Sequence, residues 1–460
     1  MSIRRALFAG LVPVVVLAQG PQTRGPAARA ALAASLDSAA RTHVAAGSLV
    51  GMSVAVVHRG DTLLNRSYGF ADLEHEIPGS DRAVYALGSM TKQFTGVAIH
   101  HLADRGLLDL DADVRTYLPE LNTHGRVIPV WRLLDHTSGL AEYTGLAGFG
   151  ALSVQTPPRD TIVRLINREP PVFEPGSQMI YNNTGFFLGA MIVARVSGQS
   201  FESYLTDHLL KPLGMEDSRY CDERAVMKGR ARGYQRNRAG AVVNASVINH
   251  QWPYGAGSMC GSARDLIRWN QALHHGGVLK PATYSKLVSP RALVDGSPIR
   301  YSGGLSIHRA FGYRTIEHGG AIDGFLSNAG FYPDDDLLVV VLQNDQARAP
   351  ALLTDALAAI VLGPAAVGPS GRPPDMTGFA GVYRGLRRGG ILAVTVDTAA
   401  GLRLTVEGSE PVVPVYQSAS TWVAGATQYT FVRRAGGAVE LRVELLWRPG
   451  GIYSHYVLRK

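Results

Sequence analysis

Ser89-Met90-Thr91-Lys92 sets a hydroxyl and an amine three residues apart. On a helix that spacing puts both on one face, close enough for the amine to act on the hydroxyl. A serine hydroxyl is a poor nucleophile at neutral pH, and a neighbouring base that takes its proton makes it a usable one. A lysine serves as that base where burial beside other polar groups strips its charge.

Two later segments carry residues suited to the same chemistry. Tyr181-Asn182-Asn183 follows Phe173-Glu174-Pro175-Gly176, and His318-Gly319-Gly320 lies on a strand-like stretch followed by Gly324-Phe325. A phenol can shuttle a proton between nucleophile and leaving group. Paired glycines on a strand let a substrate approach its backbone. Each residue also has an ordinary structural reading. Ser89 can cap a helix, Lys92 can face solvent, Tyr181 can fill a core and His318 can be structural. The catalytic reading rests on their joint occurrence and order.

The elements around these residues are legible in outline. Ala27 to Thr42 has helical apolar spacing. Met52 to His58 and Thr62 to Tyr68, separated by Arg59-Gly60-Asp61, read as a hairpin. Tyr85 to Leu102 reads as a loop entering a helix, with Ser89 near its start, where free N–H groups and the dipole favour negative charge. Phe186 to Val196 and Phe201 to Leu210 read as helices, and Ser262 with Asp265 as a capping box for a helix through Ala272. Thr315 to His318, Ser327 to Tyr332 and Leu337 to Leu342 read as strands. Strands at both ends with helices between them predict an α+β domain, an antiparallel sheet flanked by helices plus a helical subdomain, over residues 27–362. Residues 363–374, rich in Gly, Pro and Ala, read as a linker. Residues 375–460 alternate short β-rich runs with Gly turns, predicting a small all-β domain.

The bulk composition narrows the class. The chain has 460 residues, 46% hydrophobic and 18% charged, enough apolar content for a sizeable core and unlike a disordered or coiled-coil chain. Arg4 and Arg5 precede an apolar run from Leu7 to Ala18, which reads as a signal peptide over residues 1–18. That run is shorter than the roughly 20 apolar residues a membrane span needs. The expectation is a protein exported from a bacterium to the periplasm or medium, with no stable membrane span. Export makes a Cys221–Cys260 disulfide permissible, and two buried thiols are the other reading. The net charge is +8, with Lys228, Arg230, Arg232, Arg236 and Arg238 the densest basic cluster. No zinc-finger, helix-turn-helix or RNA-binding pattern accompanies it, which argues against nucleic acid. Asp109, Asp111 and Asp113 lack the glycine and terminal glutamate of a calcium loop, and no metal site is expected.

Taken together, the order and spacing of the three segments resemble the serine β-lactamase and penicillin-binding protein superfamily, of which Ser-x-x-Lys is a known signature. The likeness is to class C β-lactamases and the related D,D-peptidases, D-aminopeptidases and esterases. Leu133-Leu134-Asp135-His136-Thr137-Ser138-Gly139-Leu140 and the Gly255 to Leu266 stretch add to it. The resemblance covers roughly Ala30 to Leu362. The terminal domain resembles the lipocalin-like domains appended to some relatives.

The resemblance implies roles. Ser89 is the nucleophile, Lys92 its proton acceptor or electrostatic helper, and Tyr181 the proton shuttle. Asn183 holds the substrate amide and Lys92. His318 orients Tyr181 or binds a substrate carboxylate, beside Gly319 and Gly320. The N–H groups of Ser89 and Ala321 form the oxyanion hole. His136 and Glu174 are read as structural. His318 stands where relatives with Lys-Thr-Gly have a lysine, which removes a fixed charge and argues against efficient β-lactamase action. The resulting expectation is a serine hydrolase that needs no cofactor and acts through an acyl-enzyme. Its substrates would be D-amino-acid peptides, peptidoglycan-derived ones among them, small amides or esters. The alternatives are a class C-like β-lactamase and, from another class, a non-catalytic scaffold that kept the fold.

Overall fold

The computed structural model describes residues 25–460 apart from 311, 364–371, 389, 400, 426, 435 and 446–453. The expected signal peptide and most of the expected linker lie outside the described residues.

The first helix, α1 (Pro26–Gly47), leads into a hairpin of β1 (Gly51–His58) and β2 (Asp61–Asp72). A helical region follows. Its main members are α2 (Thr91–Asp104), α3 (Asn183–Ser197) and α4 (Ala263–His274). The chain then returns to strands: β3 (Leu305–Ala310), β4 (Tyr313–Ile322), β5 (Phe325–Tyr332) and β6 (Leu337–Gln343). Helix α5 (Pro350–Leu362) closes this part. The strands form one antiparallel sheet, ordered β2-β1-β6-β5-β4-β3, with short edge strands Ile77–Pro78 and Tyr301–Ser302 completing eight.

Alternation along the central strands explains the layers, because successive strand residues face opposite sides. Leu338, Val340 and Leu342 of β6, with Ala55 and Val57 of β1, join the core shared with α2, α3 and α4. Leu337, Val339 and Val341, with Met52, Val54 and Val56, pack under α1 and α5. Both faces of β6 are therefore covered, and its unbroken apolar sequence follows from that.

The capping box at α4 is half formed. The Asp265 N–H donates to Ser262 Oγ at 3.2 Å, but the Asp265 carboxylate accepts from the Asp217 N–H and pairs with Arg268. The basic cluster lies on and beside a small hairpin, Tyr234–Arg236 with Val242–Asn244. Arg230 there donates to the Asp222 and Ala225 carbonyls, Arg232 pairs with Glu74 and Arg236 with Asp345. Cys221 and Cys260 are joined in a disulfide, Cα to Cα 5.2 Å.

A second, all-β sheet of eight antiparallel strands curls into a half-barrel at the C-terminal end. It opens with β7 (Gly381–Arg387) and β8 (Gly390–Asp397) and ends at Ser454–Arg459. Leu392, Val394 and Val396 alternate into a core with Tyr383, Trp422, Phe431 and Leu441. That core also takes in Ile180, and Phe173 packs against it, so the two parts of the molecule share apolar contacts. Among the described residues, no helix is long and apolar enough to cross a membrane.

Candidate active site

Ser89 sits on a short 3-10 turn, Gly88–Met90, that runs directly into α2. Gly88 has φ +54°, and a Cβ there would come within 2.9 Å of the Ala321 backbone. A Cβ on Gly320 would lie 1.9 Å from the Leu87 carbonyl oxygen. Glycine at both positions lets the Ser89 turn lie flat against β4. Position 321, the second expected oxyanion donor, is thereby brought beside the Ser89 turn. Among the described residues the β3–β4 ladder ends at the Ser306–Glu317 pair, while Gly319 to Ile322 continue their pairing with β5.

Lys92 projects from the first turn of α2 and is fully buried. Its Nζ donates to Ser89 Oγ at 3.1 Å, to Asn183 Oδ1 at 2.8 Å and to the Ala256 carbonyl at 2.8 Å. It also lies 4.8 Å from the centre of the Tyr181 ring. Burial holds the Lys92 pKa well below the ordinary lysine range. Glu142 opposes that shift, and Arg388 adds to it. A buried ammonium is costly, so the neutral amine gains.

Tyr181 is buried against the rings of His136, at 4.3 Å between centroids, and Tyr301, at 6.3 Å. Among the described residues its Oη makes no well-formed hydrogen bond, and the Ser89 hydroxyl is the neighbour that acts on it. Burial raises its pKa, and the Ser89 hydroxyl partly offsets this, so the phenol stays protonated at neutral pH. A buried O–H without a well-formed hydrogen bond beside a nucleophile is a costly arrangement that a bound substrate can relieve.

Asn182 caps α3 by accepting from the Gly185 N–H at 3.1 Å, which fixes Asn183 at the helix start. The Asn183 Nδ2 donates to Thr144 Oγ1 at 3.2 Å, and its N–H to Glu142 Oε2 at 2.5 Å. Glu142 Oε1 also accepts from Thr144 N–H at 3.0 Å. Sequence reasoning missed Glu142 and Thr144, which lie just past the Leu133 to Leu140 stretch. It also missed Arg388, the Ala256 carbonyl and Tyr301.

His318 departs from one of its two expected uses. It is 1% exposed, and its Nε2 lies 2.8 Å from Tyr301 Oη. Burial, then the Lys92 charge, lowers its pKa to about 3. The ring is therefore neutral and turned to Tyr301, and it offers no cation to a carboxylate. Its ring centroid is 6.3 Å from that of Tyr181. His136 accepts from the Asn182 N–H at 3.1 Å through Nδ1, and Glu174 pairs with Arg126 at the surface. Cys221 and Cys260 are not at the Ser89 cluster. They bond behind the strand that leads to it, where Ala86 pairs with Cys260. Among the described residues, the one group spaced for a metal is Asp72, Glu74 and His75, of which Glu74 and His75 are exposed.

Comparison with known proteins places this arrangement. The Beta-lactamase family model matches residues 36–363. A D-aminopeptidase of Gluconobacter oxydans (strain 621H) is 29% identical over 313 residues, covering 67% of this chain and 58% of that protein. The chain thus matches less than two thirds of that relative's length. The solved D-amino acid amidase from Ochrobactrum anthropi SV3, complexed with L-phenylalanine amide, is 25% identical with a TM-score of 0.62, covering 72% of this chain and 98% of its own. The octameric penicillin-binding protein homologue from Pyrococcus abyssi is 22% identical with a TM-score of 0.64, covering 93% of this chain and 99% of its own, a likeness of fold. The family match runs from within α1 to just past α5 and holds Ser89, Lys92, Tyr181 and His318, and the chain belongs to the beta-lactamase family.

Proposed function

We propose that this serine hydrolase is exported and acts through an acyl-enzyme on peptides containing D-amino acids, small amides or esters. Ser89 is the nucleophile in this reading, and Lys92 takes its proton. The observation that carries it is the 3.1 Å contact between Lys92 Nζ and Ser89 Oγ, made by a lysine with no solvent exposure. A solvated helix lysine would be exposed and charged. This one is held where its neutral form is favoured and its amine meets the one hydroxyl it can activate.

Tyr181, protonated and beside the Ser89 hydroxyl, donates toward the leaving group and later relays a proton from the deacylating water. The N–H groups of Ser89 and Ala321 receive the oxyanion, at about 3 kcal/mol of transition-state stabilisation each. The relatives named as a D-aminopeptidase and a D-amino acid amidase support the substrate class. The neutral, buried His318 counts against the β-lactamase alternative. The disulfide and the N-terminal apolar run favour export.

The test is intact mass after exposure to a fluorophosphonate and, separately, to a penicillin, for the mature protein and for Ser89→Ala. A fluorophosphonate adduct that needs Ser89 is expected. An adduct that survives Ser89→Ala, or none at all on folded protein, would sink the mechanism.

A further inference from the structure

The second sheet reaches into the site through one side chain. Arg388 lies in the turn between β7 and β8, 244 residues beyond Thr144, yet its Nη2 donates to Thr144 Oγ1 at 3.3 Å. Its guanidinium stands 5.8 Å from the centre of the Tyr181 ring and 3.8 Å from Glu142 Oε2. The side chain is 33% exposed.

The charges around Ser89 are unequally satisfied. Glu142 already accepts from Asn183 and Thr144 through both oxygens. It is tied up within the protein and offers little to a substrate ammonium. Lys92 is buried, and its Nζ is taken up by Ser89 Oγ, Asn183 Oδ1 and the Ala256 carbonyl. His318 is neutral and turned to Tyr301. Arg388 is the opposite case. A guanidinium carries five donors in a planar fork. Among the described residues it makes one hydrogen bond and one loose ion pair, both through Nη2, so Nε and Nη1 have no partner. A partly open, permanently charged fork beside the reacting groups suits a carboxylate, which it can bind with two parallel bonds.

We propose that Arg388 is a specificity-determining residue that receives a substrate carboxylate close to the scissile bond, so that the preferred substrates are short D-amino-acid peptides with a free C-terminal carboxylate. The cation that position 318 lacks is then delivered by the second domain. This inference rests on the serine hydrolase reading of Ser89 and deepens it.

The experiment is protection of Ser89 from fluorophosphonate labelling, which requires no turnover of the protecting ligand. N-acetyl-D-alanyl-D-alanine and its C-terminal amide are titrated against the full chain, Arg388→Gln and Arg388→Lys, each compared with its own unprotected labelling rate. The acid should protect the parent protein at least tenfold better than the amide. Arg388→Gln should erase that difference by weakening the acid alone, and Arg388→Lys should restore part of it. Equal protection by acid and amide in the parent protein, or equal weakening of both in Arg388→Gln, would overturn the proposal and leave Arg388 as a clamp between domains. Absence of labelling in the parent protein overturns the nucleophile reading, and this inference with it. Labelling with no acid preference overturns this inference alone.

Discussion

His455 pairs backbone to backbone with Met179, its N–H donating to the Met179 carbonyl at 3.3 Å. The segment that delivers Tyr181 is therefore held by the second sheet. The next residue, Ile180, is buried in that sheet's core. Ile180→Ala should lower stability by about 2–4 kcal/mol, the usual cost of emptying a buried aliphatic site. It should also slow Ser89 labelling, because Tyr181 follows directly in the chain. Urea unfolding and labelling rate measure the two effects. A chain ended after Leu362 exposes Ile180 and Phe173 together and should lose more on both counts. Unchanged stability and labelling in that truncated chain would show that the second domain supports nothing here.

Lys92 makes the pH dependence of acylation diagnostic. The groups facing it are Ser89, Asn183, the Ala256 carbonyl, Tyr181, Glu142, Arg388, His136 and His318. Acylation needs the neutral amine, so its rate falls as pH drops through the lowered Lys92 pKa. Glu142 raises that pKa and Arg388 lowers it. Glu142→Gln should therefore move the acid limb to lower pH, and Arg388→Gln should move it to higher pH. Stopped-flow labelling across pH 5–9 (roughly the range where such shifts are read) checks the signs. Two shifts in the same direction would remove Lys92 as the acceptor.

His318 should be silent as a cation. With its pKa lowered to about 3 by burial, it stays neutral across the range where an ordinary histidine titrates. The apparent affinity for penicillin should show no rise centred near pH 6.5 as pH falls. A rise with that midpoint, lost in His318→Asn, would show the ring exposed and charged in solution. His318→Lys should destabilise the fold, since it buries a charge where the neighbouring polar groups, Tyr301 Oη and the Gly319 carbonyl, are neutral.

Local spacing made Ser89 and Lys92 legible, because one helical turn brings them together wherever the chain folds. The central strands were legible for a similar reason: the apolar run of β6 admits few other fates. Tyr181 and His318 were reachable only through resemblance, since no local rule links positions 181 and 318 to position 89. Glu142 and Thr144 left no signal because their contribution is a hydrogen-bond network around Asn183. The Ala256 carbonyl could leave none, being backbone. Arg388 was hidden most deeply. It sits in an ordinary Arg-Arg-Gly turn of a domain with no visible catalytic pattern, and only the docking of that domain brings it to Tyr181.

The disulfide bears on the site indirectly, and its removal separates stability from chemistry. Cys260 lies on Met259–Gly261, which pairs on one side with Tyr85–Ala86 and on the other with Arg219–Tyr220. The Leu87 N–H donates to the Met259 carbonyl at 2.8 Å, so this small sheet leads straight to the Ser89 turn. The bond closes a separation of 39 residues, which the chain-entropy model values at about 4 kcal/mol. The backbone ladder and the buried contacts of Val84, Ala86 and Met227 around the sulfurs remain when the bond is gone. The Cys221→Ala, Cys260→Ala protein should therefore unfold at clearly lower urea concentration, while the folded fraction labels at Ser89 within about threefold of the parent rate. Equal urea midpoints for the oxidised parent and the double variant would mean that the ladder alone sets the stability of this segment. A collapse of labelling in protein still folded by circular dichroism would instead make the bond part of what positions Ser89.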